Sequence, residues 1–240
     1  MTAVSPSTTN GRLRSALTAN WPILAILTAF LILGAAYSII NPLHEATDEL
    51  RHYRFIQHII QLHRLPIQGE LACSTQGHHP PLFYATAALV IGGIDTGHDV
   101  CYEPPGNPFW AYRYWEVGRD NKNQYLHGAD EAFPWRGEAL AAHLARFVNL
   151  LIGALTVWLT WATARAIWPN RRYLAAGSAA FVAFNPMFLY MSGAINNDVI
   201  AAAAGAAVVY ACVRLLLDEK GLSWLWGVVL GAIFGLALMS

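Results

Sequence analysis

Residues 21–40 read WPILAILTAFLILGAAYSII, twenty positions without a charged side chain. At about 1.5 Å per helical residue this run covers about 30 Å, the hydrocarbon thickness of a bilayer. It is too long for the core of a typical signal peptide, and no small-residue cleavage site follows it, so it reads as a retained membrane anchor. Composition points the same way. Of 240 residues, 55% are hydrophobic and only 12% charged, against about 25% charged in soluble domains. A globule in water needs more charge on its surface, which excludes a soluble enzyme, a disordered chain and a secreted disulfide scaffold. Fifteen basic and fifteen acidic residues cancel, so no global field favours nucleic acid.

Working outward, further apolar stretches lie at Phe147–Ala164, Tyr173–Ile195, Val199–Leu217 and Gly221–Ser240. The run Pro81–Ile94 is only fourteen residues long, the length class of interfacial or re-entrant elements. If it does not cross, Arg12, Arg14, Arg171, Arg172, Arg214 and Lys220 all fall on one side, which the positive-inside tendency makes cytoplasmic. The expected fold is therefore all-α, a polytopic transmembrane helix bundle of about five spans. Residues 1–20 form a cytoplasmic tail, 21–42 the first span, 43–138 a large extracytoplasmic loop with juxtamembrane helices over 48–63 and 81–94, and 139–240 spans two to five. All nine His residues lie in that loop or at its edge, as do Cys73 and Cys101. An oxidising compartment lets these two cysteines pair; two free thiols are the alternative.

Beyond the first span the chain reads Asn41-Pro42-Leu43-His44-Glu45-Ala46-Thr47-Asp48-Glu49-Leu50-Arg51-His52. Proline stops the helix, and Thr47 is a plausible cap for a second one with Asp48 and Glu49 in its first turn. That second helix is amphipathic, suited to lying along the membrane, with Asp48 and His52 on its apolar side. A carboxylate and an imidazole in low dielectric need a partner or a use; the plainer alternative is a helix cap and a histidine packed against headgroups. Gly77-His78-His79-Pro80-Pro81-Leu82-Phe83-Tyr84 follows, then a turn at Ile195-Asn196-Asn197-Asp198. Asp198 reads either as a polar cap or as an acid opening onto the same face as Asp48.

A first span followed by Pro-x-x-x-x-Asp-Glu-x-x-His, an amphipathic helix and His-Pro-Pro-Leu-Phe-Tyr resembles the start of the integral-membrane glycosyltransferases of the GT-C class, in the branch related to protein O-mannosyltransferases and the lipid A aminoarabinose transferase. Arg146-x-x-x-x-Leu151-x-Gly153 is similar to that family's second span and Asn196-Asn197-Asp198 to its acidic turn. The resemblance covers roughly residues 21–240, the N-terminal half of a typical member. Glu45-Ala46-Thr47 stands where members usually place prolines.

The resemblance implies transfer of a sugar from a polyprenyl-phosphate donor at the extracytoplasmic face of a plasma or bacterial inner membrane. Asp48 would be the central acid, as general base or as ligand of a divalent cation, with Glu49 and Asp198 in support. His52, His78 and His79 would border the substrate, and Arg146 would meet the donor phosphate or serve as an interfacial anchor. Asp48 and Asp198 would hold Mg²⁺ or Mn²⁺, and the histidines leave Zn²⁺ open. The lipid tail would lie against the surface helix and Pro81–Ile94. Two other readings compete. The apolar run that stops at Ser240 reads as the front of something longer, so a non-catalytic membrane subunit, or a partner supplying a C-terminal half, is the alternative. Asn185-Pro186 inside a span is the one signal for a transporter.

Overall fold

The computed structural model describes residues 8–110 and 123–240, with side chains from residue 20 onward. Helix α1 (Thr8–Ile40) contains the anchor and starts well before it, so part of the expected N-terminal tail is helical. Pro42 disfavours helical geometry at Asn41, and α1 ends there. Short helices α2 (Glu49–Leu62) and α3 (Leu82–Ile91) follow. After them come α4 (Gly137–Ile167), α5 (Arg172–Ala183), α6 (Pro186–Ser192), α7 (Asp198–Leu216) and α8 (Trp224–Leu238). No strand occurs among the described residues beyond one isolated bridge between Gly106 and Tyr125.

The number of spans differs from the expected five. Three helices are long and apolar enough to cross, Asn20–Ile40, Gly137–Ile167 and Asp198–Leu216. The expected third span is broken into α5 and α6, which meet at 65°; the bent pair is either one broken span, making a fourth crossing, or a re-entrant element. The break has a local cause: Pro186 has no N–H to donate, and the Asn185 side chain instead caps α6 by accepting from the amides of Met187 and Phe188. The expected fifth span is shortened at its start, where Gly221 takes a positive φ of 66° and Ser223 caps α8. The resulting 15-residue helix reaches only about 22 Å. At ten residues α3 is likewise too short to cross.

Helix α4 is the hub, packing against α1, α3, α5, α6 and α7. Its small residues permit this. A Cβ built on Gly153 would lie 2.6 Å from Ser192 Oγ and 3.1 Å from Phe30 Cζ, so only glycine admits α1 and α6 there. Near the start of α4, Ala141, Ala142 and Ala145 take the aromatic faces of α2 and α3, where the Phe55 and Tyr84 rings stack at 3.8 Å. The polar side of α2 is covered in part, contrary to a helix lying free on a bilayer, while Arg51 stays exposed. Arg54 is 6% exposed and donates to the Tyr102 carbonyl and to Glu103, and Gln61 donates to the His98 carbonyl. Cys73 and Cys101 are paired, stapling this covering loop in place.

One ion pair joins the elements. Arg146 of α4 is fully buried, and each of its five N–H groups has an acceptor. Nε and Nη2 donate to Glu49 at 2.7 and 2.6 Å, while Nη1 and Nη2 also donate to the carbonyls of Ser38, Asn41 and Pro42. The Ser38 carbonyl lies in the last turn of α1 and those of Asn41 and Pro42 just beyond it, a helix C-terminus where a cation is favoured. Glu49 in turn accepts from the amides of His44 and Ile195 at 3.0 and 2.9 Å. Removing either partner leaves an uncompensated buried charge. Glu49→Gln or Arg146→Leu is expected to lower stability by about 3–5 kcal/mol, read as the unfolding midpoint in detergent. The double Leu variant should not recover it, because three carbonyls and two amides lose their partners as well.

Candidate active site

The turn from residue 41 to 48 presents Asp48. His44 and Asp48 both take left-handed backbone angles, with φ of 64° and 56°, a conformation that Asp and His tolerate better than most residues. Asp48, rather than the expected Thr47, is the N-cap residue of α2, yet its side chain makes no capping bond. Its carboxylate is 44% exposed and meets only Arg51, at 3.1 Å. So shallow a pair contributes about 0–1 kcal/mol, and an incoming group opens it readily.

Asp198 is held by a second device. Asn196 Oδ1 accepts from the amides of Asp198 and Val199 and so caps α7. Asn149 of α4 donates to the carbonyls of Met191 and Ala194, and the Ile195 amide donates to Glu49. The α6–α7 turn is therefore bolted to the first residue of α2. Asp48 and Asp198 stand at the same end of the bundle.

Between the two acids lie His52, His78, His79 and Tyr84. His52 Nδ1 and the Tyr84 hydroxyl are 2.7 Å apart; the His52 and His79 rings are 5.5 Å apart, and those of His78 and His79 4.2 Å. Burial, aided by His79, pushes His52 down to about 4. Burial and His78 also lower His79, against the pull of Asp198 and Asp48. Burial raises Tyr84, and the charge of Asp198 adds to it. Near neutral pH His52 is an uncharged hydrogen-bonding group. The accessible cation beside Asp48 is Arg51, which sequence reasoning passed over. Its signal is the i, i+3 spacing from Asp48. Tyr84 was missed also, although it closes the His-Pro-Pro-Leu-Phe-Tyr run.

Two cavities open at this end. A polar cleft of about 370 Å³ is bounded by Asp48, Arg51, Arg54, Ser74, Glu103 and Tyr125. An apolar groove of about 460 Å³ runs between α5, α6 and α7 along Val182, Phe188, Met191, Val199 and Ala202, with Asp198 in its lining. This groove is separate from the surface expected along α2 and Pro81–Ile94, where Phe55, Phe83 and Tyr84 pack against α4 while Leu89 and Val90 stay exposed.

Glu49 and Arg146 are corrected in the same way. Burial alone raises the Glu49 carboxyl, but the Arg146 guanidinium overrides it and holds Glu49 below the usual carboxylate range. With all five of its N–H groups taken, Arg146 has no donor for a phosphate. Both residues shape the site without facing it. Among the described residues, no three His, Cys, Asp or Glu side chains form a ready-made metal cage.

The loop over the site is latched by His127. Its Nε2 lies 3.0 Å from Glu45 and its Nδ1 2.8 Å from Glu131, while Glu45 also accepts from the amides of Gln124 and Tyr125.

Residues 98–240 match the family model described as dolichyl-phosphate-mannose-protein mannosyltransferase. The match includes Arg146 and Asp198 and begins after Asp48. No curated relative and no solved structure matches the chain.

The latch carries a pH signature. Burial lowers the His127 pKa, but the hydrogen bonds its ring donates to Glu131 and Glu45 outweigh it and the net shift is upward. A raised folded pKa means that the latch contributes fully below the ordinary histidine value of about 6.5 and is lost as pH rises through the folded value. Hydrogen exchange of residues 123–131, corrected for intrinsic rates, should therefore accelerate as pH rises above the ordinary histidine value of about 6.5. His127→Gln should abolish the dependence.

Proposed function

Because the chain belongs to the dolichyl-phosphate-mannose-protein mannosyltransferase family, whose members are membrane glycosyltransferases using lipid-linked sugar donors, we propose that it moves a sugar from a polyprenyl-phosphate carrier to a hydroxyl acceptor at the extracytoplasmic face. One observation carries this reading. Asp48 borders a polar cleft and Asp198 an apolar groove at one end of the bundle, and an amphiphilic donor needs both surroundings.

In this reading the polyprenyl tail lies along Phe188, Met191 and Val199, and the acceptor enters the polar cleft. Asp48 takes the proton of the acceptor hydroxyl as the new bond to the sugar C1 forms. The C1–O bond to phosphate breaks, and the carrier leaves as its phosphate. Arg51, released from Asp48, lies where it meets that anionic phosphate. His79 and the His52–Tyr84 pair orient polar groups of the sugar. The donor set at Asp48 and Asp198 also suits Mg²⁺ or Mn²⁺, which bind through one or two carboxylates and complete their shell with water and substrate phosphate. Such an ion would supply charge neutralisation to the leaving phosphate.

Transfer of labelled sugar from a polyprenyl-phosphate donor in membranes carrying the chain tests the reading. Asp48→Asn should reduce turnover at least about 100-fold with an unchanged unfolding midpoint. Equal turnover in the variant, or none in the wild-type chain, favours a non-catalytic binding role. Ala202→Trp, which fills the groove, should raise KM for the donor about tenfold with kcat retained; an unchanged KM removes the groove from the donor path.

A further inference from the structure

The 31 residues of α4 separate the candidate site from the opposite end of the bundle by about 45 Å. There the chain turns through Pro169 and Asn170 into α5, around a concavity of about 600 Å³ lined by Arg165, Asn170, Arg171, Arg172, Tyr173 and Leu174. Three guanidiniums converge on it. Among the described residues no carboxylate pairs with any of them. Two are held in place: Arg165 donates to the Pro169 carbonyl, and Arg172 lies 4.7 Å from the centre of the Tyr173 ring while donating to its hydroxyl. The α4 terminus and α5 fix the arginines on two walls of one hollow.

The arrangement is electrostatically unfavourable as it stands. Arg171 and Arg172 are the N-cap and first residue of α5, whose first turn contains no acid and whose cap makes no side-chain bond. A helix start carries positive partial charge, so two arginines there repel it and each other. An anion in the concavity relieves both conflicts. The surroundings indicate its source. Trp168, Tyr173 and Leu174 are 47%, 62% and 46% exposed beside the arginines. Aromatic and aliphatic surface next to basic groups suits the headgroup level of a bilayer and is costly in bulk water.

We propose that the α4–α5 concavity is a binding site for the phosphate of an anionic membrane phospholipid, with Arg165, Arg171 and Arg172 on the phosphate and Tyr173 and Leu174 against the glycerol and upper acyl chain. This site is independent of sugar transfer and stands or falls separately from it.

Native mass spectrometry of the full chain, released from detergent with phosphatidylglycerol, phosphatidylcholine or inorganic phosphate as probe, tests the proposal. The wild-type chain should retain phosphatidylglycerol over phosphatidylcholine, and the R171Q/R172Q double variant should lose that retention at least about tenfold. Millimolar inorganic phosphate should leave the lipid bound. Circular dichroism and the unfolding midpoint show whether the variant is folded; if it is not, Arg165→Gln alone, from the other wall, is read by the same criterion. Equal retention of the two lipids, or undiminished retention in the folded variant, overturns the proposal. Displacement of the lipid by inorganic phosphate overturns the lipid source and assigns the arginines to a soluble anion.

Discussion

The buried Glu49–Arg146 pair is the constraint on which the arrangement of the candidate-site end of this bundle depends. A guanidinium removed from water is tolerated only when all its donors are used, and here the acceptors come from the end of α1, the turn after it and the first residue of α2. The carboxylate uses its remaining capacity on two backbone amides, one in the turn after α1 and one in the α6–α7 turn. Three stretches of chain distant in sequence, residues 38–49, Arg146 and Ile195, must therefore meet at one point before either charge is compensated. Asp48 and Asp198 are placed by this knot without belonging to it, since each is adjacent to a residue that does or within three positions of one.

The same division explains why a fully buried acid and an exposed one sit side by side. Glu49 faces inward and is consumed by structure. Asp48, one residue earlier and in a left-handed conformation, is turned to the cleft with a single weak partner. The left-handed turn at Asp48 directs it away from the direction Glu49 takes at the start of α2, so a carboxylate pair in sequence becomes one anchor and one exposed acid. Burial lowers the pKa of His52 and of His79, and the exposed cation paired with Asp48 is Arg51. A cleft of polar character and a groove of apolar character open at this same end of the bundle.

Much of this was legible in the chain. The charge-free run of α1, the helices over residues 49–62 and 82–91 and the acidic turn at Asp198 rest on local signals, apolar length and helix-stopping residues, whereas the pairing of Cys73 with Cys101 was one of two alternatives that the structure resolved. Arg146 and Glu49 illustrate the limit. A charged residue near a span end looks the same in sequence whether it faces a phosphate or a buried carboxylate, because its partner lies 97 residues away. The broken span at Asn185-Pro186 is a related case. Hydropathy registers the apolar content of α5 and α6 and is blind to the 65° bend between them.

By itself the sequence determined that this is a helical membrane protein, where its first span stops and which acids border the spans, since hydrophobic length and helix-stopping chemistry act over a few neighbouring residues. Only the tertiary structure decided which charges are anchors and which are free, and where the apolar groove lies. Those outcomes depend on which faces of α2, α3 and α4 are used up against one another. Burial of that kind is a property of the assembled helices, fixed by contacts between residues far apart in the chain.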